Sequence, residues 1–347
     1  MELIKARLLN AAELAKSGLL NAAELTKETF WNSKNAKIQS GAIILAFAFI
    51  YVYFTSIAGT SPPKIVSWTI AYIVLTVSWS FFSGKTGYIS LATAAFYGIG
   101  MYIQAVYGRQ IPLWGILILS AAVSFAVGYI IGVVTLRLRG IYFTIFTFGL
   151  VLSLNKFFHW YEGMFTRTKG RMVKPYDNET IFYATLIVLA ITIIAMLLMN
   201  KSRFGLSLKC IGQNEDSAQH IGVKTTSTKV FAFAISAAPA GAIGAVMSSS
   251  IGYIDPDTAF VMNASFFPVL MAIFGGMGTV YGPIVGAVVF YMLQDYLIRA
   301  TPFYMIIFGV IMVLVVLFMP KGVFGTINSI IAKARSKSEM EKVIGDG

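Results

Sequence analysis

Long apolar runs separated by short polar segments dominate this chain after residue 40. A helix needs roughly twenty mostly apolar residues to cross the hydrocarbon of a bilayer, and runs of about that length recur along the sequence. The fold class predicted is all-α, a polytopic integral membrane protein with about ten transmembrane helices. The expected spans are residues 41–58, 65–83, 88–107, 112–135, 141–159, 180–199, 229–250, 264–280, 282–298 and 302–319.

The first forty residues follow a different pattern. The sequence from Leu8 to Lys16 is nearly repeated from Leu19 to Lys27, an offset of about three helical turns. Leucine and alanine therefore share one face of a helix, and Asn, Glu and Lys share the other. The pattern predicts an amphipathic helix at the membrane surface over residues 1–40. A helix packed on a partner protein, or an added leader segment, would fit the same pattern.

Composition and charge agree with a membrane protein and suggest its orientation. Hydrophobic residues make up 57% of the chain and charged residues only 12%, more apolar surface than a soluble core of this length buries. The net charge of +12 is concentrated in the polar segments, and a nucleic-acid partner is the weaker interpretation. With a cytoplasmic N-terminus, Lys85, Arg137, Arg139, the 201–229 segment and a basic tail over residues 320–347 all lie inside. The basic loop 160–179, predicted to lie outside, is an exception to the positive-inside rule.

Residue patterns for catalysis are missing from the sequence. There are two histidines and one cysteine, with no cluster of metal-ligating residues at ligand spacing, so neither a metal nor another cofactor is expected. Gly84-Lys85-Thr86 imitates the end of a phosphate-binding loop, but Trp79 stands where that loop needs a glycine. We therefore do not expect this chain to be an enzyme or to bind ATP through such a loop.

Two glycine-rich stretches interrupt predicted spans, at residues 84–100 and 274–286. Small residues allow helices to approach closely, and broken helices at membrane depth are tolerated where they line a cavity. The stretches are predicted to line a substrate pathway, although tight helix packing alone would explain any single glycine equally well. The candidate pathway residues are Gly84, Gly87, Ser90, Thr93, Phe96, Gly275, Gly276 and Gly278.

The 201–229 segment is the longest polar stretch between two predicted spans. Glu215 and Asp216 stand at a predicted helix start, where the helix dipole favours carboxylates and leaves them free to meet basic groups of a partner. Capping of a short surface helix would also place them there. The candidate coupling residues are Arg203, Phe204, Gly205, Glu215, Asp216 and Gly222.

Several of these motifs, in the same order and spacing, resemble the permease subunits of branched-chain amino acid ABC importers. The resemblance covers residues 64–325. It is carried by the glycine and alanine pattern from Gly84 to Gly100, by Leu136 to Gly140, by Ser202 to Gly205 with Gly222, by Ala232 to Gly241, and by Gly275 to Pro283. This chain has Ala92-Thr93 where the family pattern usually has Gly-His, and the N-terminal duplication lies outside that pattern.

The resemblance implies a transmembrane permease for branched-chain or other hydrophobic amino acids, over residues 41–319 of a multi-pass cell-membrane protein. It implies a second permease subunit, cytoplasmic ABC ATPase subunits that hydrolyse ATP, and an extracytoplasmic solute-binding protein as partners. Some relatives carry urea or short amides instead.

An ATP-independent secondary transporter is the alternative from another class. Such transporters commonly use ionisable groups at mid-membrane, and the predicted spans are almost free of them. Lys156 with His159, and Asp295 with Arg299, are the nearest candidates, and a structural ion pair explains the second pair better than a proton relay does.

Overall fold

A computed structural model describes residues 64–167, 169–277 and 281–303, together with 306, 307, 309, 310 and 313. The predicted helix at 1–40, the span at 41–58, most of the span at 302–319, the tail at 320–347 and Gly278 lie outside the described residues. The chain divides into a unit of residues 1–61 and a unit of residues 62–347, and every described residue belongs to the second.

Helices form nearly all of the described part of the chain. In order they are α1 (Lys64–Thr86), α2 (Thr93–Tyr107), α3 (Leu113–Thr135), α4 (Ile141–Tyr161), a π-helical turn (Glu162–Thr166), α5 (Asn178–Lys201), α6 (Arg203–Gln213), α7 (Glu215–His220), α8 (Thr225–Ile251), α9 (Pro256–Ala259), α10 (Asn263–Gly275) and α11 (Tyr281–Ala300). Two short strands, β1 (Arg171–Met172) and β2 (Tyr253–Ile254), pair antiparallel with Arg171 opposite Ile254.

Six helical stretches among the described residues are long and apolar enough to cross a membrane. They are Lys64–Thr86, Leu113–Thr135, Ile141–Phe165, Asn178–Lys201, Thr225–Ile251 and Pro256–Gly275. These confirm a mostly helical, multi-pass membrane protein, while the predicted number of ten spans stays a prediction.

α1 and α8 form the centre of the described bundle. In the most apolar 18 residues of each helix, 78% of the window is buried in α1 and 72% in α8. The corresponding share is 17% in Ile141–Phe165, the stretch that contains α4. α8 packs along α2 and α3 and also contacts α1 and α5. The rings of Phe82, Phe96, Phe143 and Phe233 form an aromatic cluster between α1, α2, α4 and α8, with Phe82 and Phe233 centred 5.2 Å apart.

The predicted span 88–107 differs from the structure, because its helix begins only at Thr93. Gly87, with φ of +74°, turns the chain back beside α1, and residues 88–92 run without helical structure. A positive φ of this kind strains any residue with a Cβ, which explains the glycine. The break that the sequence suggested near Gly84 therefore lies at residues 87–92.

Side chains from three helices satisfy the backbone of this non-helical segment. Trp79 Nε1 donates to the carbonyl oxygen of Ser90 at 2.7 Å, and the amide of Leu91 donates to Thr147 Oγ1 at 3.0 Å. Ser265 Oγ accepts from the amide of Ala94 at 3.0 Å and donates to the carbonyl oxygen of Leu91 at 2.6 Å. Buried backbone groups without partners are costly, so these contacts hold the broken span in place.

The basic loop 160–179 folds around a buried carboxylate. Glu162 is 3% exposed and accepts hydrogen bonds from the hydroxyl of Tyr102 at 3.1 Å and the amide of Gly170 at 3.0 Å. Arg171 Nε lies 4.0 Å from the same carboxylate, and β1 pairs with β2. The loop is therefore packed against α2 and the segment that follows α8.

Candidate functional site

A small cavity lies between α1, the start of α2 and the middle of α8. Its free volume is about 10 Å³, close to the least that accommodates one water molecule. The described lining consists of serine and threonine residues, aromatic residues and one alanine. The lining residues are Ser78, Trp79, Phe82, Ser83, Ser90, Thr93, Phe96, Phe233, Ser236 and Ala240.

Three of the predicted pathway residues, Ser90, Thr93 and Phe96, meet at this cavity. The non-helical segment 88–92 makes this possible, because it carries Ser90 to a position beside α1. Ser90 Oγ accepts from the amide of Ala92 at 3.2 Å, and Ser83 Oγ accepts from the amide of Ser90 at 3.3 Å. The cavity is thus small and has a hydrogen-bonding wall.

The predicted glycines that the structure describes lie elsewhere, and two of them stand at close contacts with backbone atoms. A Cβ on Gly84 would lie 3.2 Å from the carbonyl oxygen of Met277. A Cβ on Gly275 would overlap the carbonyl oxygen of Gly282, where α10 and α11 pack against each other. Gly87 and Gly276 both have positive φ and follow α1 and α10 respectively. None of these four lines the small cavity.

A tight helix crossing near the cavity involves a glycine of α2. A Cβ on Gly100 would overlap the carbonyl oxygen of Gly241 in α8, and a Cβ on Gly241 would overlap Ser124 Oγ in α3. Close approach of this kind is typical of small-residue interfaces in membranes. It fixes α2 against α8 about one turn from the cavity residue Phe96.

The predicted coupling residues lie on α6, α7 and the turn that follows. Ser202 caps α6, accepting from the amide of Gly205 at 3.3 Å. The ring of Phe204 packs edge-on against Phe231 of α8 with centroids 5.6 Å apart, and Arg203 is exposed. Gly222 follows α7 with φ of +89°. α6 also lies against the end of α1, because a Cβ on Gly212 would overlap the carbonyl oxygen of Lys85.

Glu215 belongs to a hydrogen-bonded triad that connects three parts of the chain. Lys229 Nζ, on α8, lies 2.6 Å from Glu215 Oε1 and donates to the hydroxyl of Tyr88 at 3.1 Å. The hydroxyl of Tyr88 donates to Glu215 Oε2 at 2.5 Å. The side chain of Lys229 is 2% exposed, and its Nζ lies 4.4 Å from the centre of the Tyr88 ring. The triad ties α7 to the non-helical segment and to α8.

Glu215 therefore differs from its neighbour Asp216. The sequence suggested that both carboxylates are free to meet a partner, but the carboxylate of Glu215 is turned inward onto Lys229 and Tyr88. Asp216 points outward and lies 3.3 Å from Arg139, with both side chains more than 60% exposed. Of the two carboxylates, only Asp216 presents an exposed acidic group.

The surroundings of Glu215 also shift its titration. Burial is the largest single influence and by itself would raise the pKa of the carboxyl group. Hydrogen bonds from Lys229 and Tyr88, together with the charges of Lys229 and Arg139, outweigh burial and hold the pKa of Glu215 below its usual value. The group is therefore ionised at neutral pH.

Sequence reasoning missed Tyr88 and Lys229 as site residues. Lys229 marked only the end of the polar segment, yet it stands five residues inside α8 and is 1% exposed. A lysine that enters a buried helix needs an acceptor nearby, and Glu215 is fourteen residues away in the same polar segment. That requirement was the available signal for Lys229, whereas Tyr88 had no comparable signal.

Comparisons with known proteins agree with the resemblance. The family model described as "branched-chain amino acid transport system / permease component" matches residues 62–316. LivM, the permease of the high-affinity branched-chain amino acid transport system, is 25% identical in Salmonella typhimurium and 23% in Escherichia coli, over 82% of this chain and 75% of each relative. LsrC, a permease of the autoinducer 2 import system of Yersinia enterocolitica, is 31% identical over 54% of this chain and 53% of its own length. No solved structure matches the chain significantly.

Proposed function

Because the chain belongs to the family of branched-chain amino acid transport permease components, we propose that it carries branched-chain or other hydrophobic amino acids across the cell membrane. It does so as one permease subunit of an ABC importer, beside a second permease subunit. Cytoplasmic ABC ATPases supply the energy, and an extracytoplasmic solute-binding protein delivers the solute.

The single observation that carries this proposal is the family match over residues 62–316, and the site geometry supports it. In the proposed pathway the small cavity is a constriction with room for about one water molecule, so a solute passes only if its walls move apart. Tyr88 is two residues from Ser90, and Lys229 is four residues from Phe233. A displacement of α7 would therefore act on two walls of the constriction through the triad.

The ATPases are proposed to dock on the segment from Arg203 to Gly222, the coupling segment, with Asp216 as an exposed acidic contact. Lys85 and Arg139 lie at the same end of the described bundle as this segment, through the Gly212 and Asp216 contacts above. Basic residues gather on the cytoplasmic side of membrane proteins. We therefore assign this end to the cytoplasm, and from the basic segments of the sequence we propose that both chain termini lie on the same side.

Reconstitution of the complex in liposomes tests the function. The complex with its ATPases and binding protein is expected to accumulate leucine, isoleucine or valine only when ATP is present on the ATPase side. Urea, short amides and autoinducer 2 are run in parallel as competing solutes. Uptake that follows an ion gradient without ATP, by a complex that contains no ATPase, would overturn the proposal in favour of a secondary transporter.

A further inference from the structure

A second, larger cavity lies between α1, α2, the end of α8 and the α9–α10 segment. Its volume is about 440 Å³, within the range of roughly 300 to 1,000 Å³ that small-molecule sites occupy. None of the predicted pathway residues that the structure describes lines it. Its size is sufficient for an amino acid or a molecule of similar dimensions.

The two cavities lie along the same face of α1. Trp68, Tyr72 and Leu75 line the larger one, and Ser78, Trp79 and Phe82 line the constriction. Leu75 and Trp79 are four residues apart, about one helical turn. Trp68 is seventeen residues from Lys85, about 26 Å along the helix at 1.5 Å per residue, so the larger cavity lies away from the coupling segment. A molecule bound there is next to the constriction.

The cavity combines a buried apolar floor with an acidic rim. Leu75 and Met101 line the floor and are 2% and 0% exposed. The aromatic side chains of Trp68, Tyr72 and Tyr97 add ring surface to the walls. Asp257 is the one charged residue among the described residues that line the cavity.

Contacts from α4 hold the carboxylate of Asp257 in a fixed orientation. Asn155 Nδ2 donates to Asp257 Oδ1 at 3.0 Å, and His159 Nε2 lies 3.1 Å from the same oxygen. Oδ2 has no hydrogen-bond partner among the described residues. The side chain is 69% exposed. One carboxylate oxygen is thus positioned by the protein, while the other stays available to a ligand.

We propose that this cavity binds small molecules in which an organic ammonium group is joined to an apolar tail. The ammonium group pairs with Asp257 Oδ2 and lies near the aromatic rings, which attract cations through their π faces. The tail packs against Leu75 and Met101. Among the described residues, the cavity lining contains no cation for a carboxylate, so we expect ligand recognition to depend on the ammonium group. Its role as a waiting position for an imported amino acid rests on the proposed function, whereas the binding itself does not.

Three ligands with the same apolar tail test separately how the ammonium group and the carboxylate group contribute to binding. The full-length chain in complex with its ATPases, without binding protein or nucleotide, is titrated with 3-methylbutylamine, L-leucine and 4-methylpentanoate while tryptophan fluorescence is followed. The amine and leucine are expected to give saturable changes and the acid none. The Trp68→Phe variant should lose the signal. Binding of the acid as tight as that of the amine, in the unmodified chain, would overturn the proposal.

Two isosteric variants locate the contact. Asp257→Asn is expected to weaken amine binding about tenfold or more, as loss of a hydrogen bond to a charged group implies. Asp177→Asn removes an exposed carboxylate that makes no capping hydrogen bond and should leave binding unchanged. Equal affinity of Asp257→Asn and the unmodified complex would also overturn the proposal. If Asp257→Asn fails to fold, the three-ligand comparison decides.

ATP-driven uptake is measured on the same preparations, so that failure of the cavity site can be distinguished from failure of the proposed importer function. Uptake of leucine without amine binding in the cavity refutes the cavity site and leaves the importer function standing. Amine binding without ATP-driven uptake supports the site and refutes the importer function.

Discussion

The hydroxyl of Tyr88 and the carboxylate of Glu215 are joined by a 2.5 Å hydrogen bond across 127 residues of sequence. Tyr88 belongs to the non-helical segment that leads to the constriction, and Glu215 opens α7 of the coupling segment. Lys229 completes the triad from the buried face of α8. The triad therefore connects α7 to the non-helical segment and to α8, which both contribute residues to the lining of the small cavity.

The Glu215→Gln substitution is expected to destabilise the protein by about 3 kcal/mol. It keeps the shape of the side chain but leaves the ammonium group of Lys229 buried without a counter-charge, and breaking a buried pair typically costs this much. The measurement is denaturant unfolding of the purified chain in detergent. Asp216→Asn is the matched control, and because its pair with Arg139 is exposed it should cost less than about 1 kcal/mol. Equal losses in the two variants would contradict the buried triad.

Stability should also depend on pH through Glu215. Its pKa in the folded protein is below the usual value of 4.5, so the ionised form stabilises the fold above about pH 4.5. That contribution is lost as the pH falls further, through the folded-state pKa, because the unfolded chain then binds the proton more readily. The difference in unfolding free energy between the unmodified chain and Glu215→Gln should therefore be constant near neutral pH and shrink below about pH 4.5. A difference that grows on acidification would contradict the sign of this shift.

The crossing of α2 and α8 predicts a sharp contrast between two glycines. Gly100→Ala is expected to cost about 1–3 kcal/mol, because the added methyl group overlaps the carbonyl oxygen of Gly241 and the two helices must separate. Gly149→Ala in α4 places its methyl group where nothing lies within 4 Å, and alanine favours a helix by up to about 1 kcal/mol. Thermal unfolding in the same detergent compares them. A Gly100→Ala variant as stable as Gly149→Ala would refute the close contact.

The sequence predicted the spans well where a single helix runs without interruption. Apolar length alone placed the helices at 64–86, 113–135, 141–161, 178–201 and 225–251 to within a few residues. It also indicated breaks at the glycine-rich stretches. The sequence did not predict the exact course of residues 87–92. Two groups that stabilise this segment, Thr147 and Ser265, stand 56 and 174 residues along the sequence from the backbone groups of Leu91 that they bind.

The inward orientation of Glu215 was only partly accessible from sequence. Neighbouring residues on a helix point about 100° apart, so Glu215 and Asp216 could not both have faced outward to the same degree. Which of them turns inward depends on where Lys229 and Tyr88 lie, and that depends on the packing of α7 against α8. Local pattern identifies the pair of carboxylates, and tertiary packing assigns their separate positions.

The coupling role of the triad is tested most directly by Tyr88→Phe in the reconstituted importer. This change keeps the ring that packs against Phe143 and Lys229 and removes only the hydroxyl that reaches Glu215. Tyr102→Phe is the matched control, since it removes a phenol–carboxylate hydrogen bond to Glu162, away from the coupling segment.

The quantity to measure is the number of solute molecules taken up per ATP hydrolysed. We expect Tyr88→Phe to lower this ratio several-fold while ATP hydrolysis continues, and Tyr102→Phe to leave it unchanged. An unchanged ratio in Tyr88→Phe, with normal uptake, would contradict the account that the coupling segment acts on the pathway through Glu215.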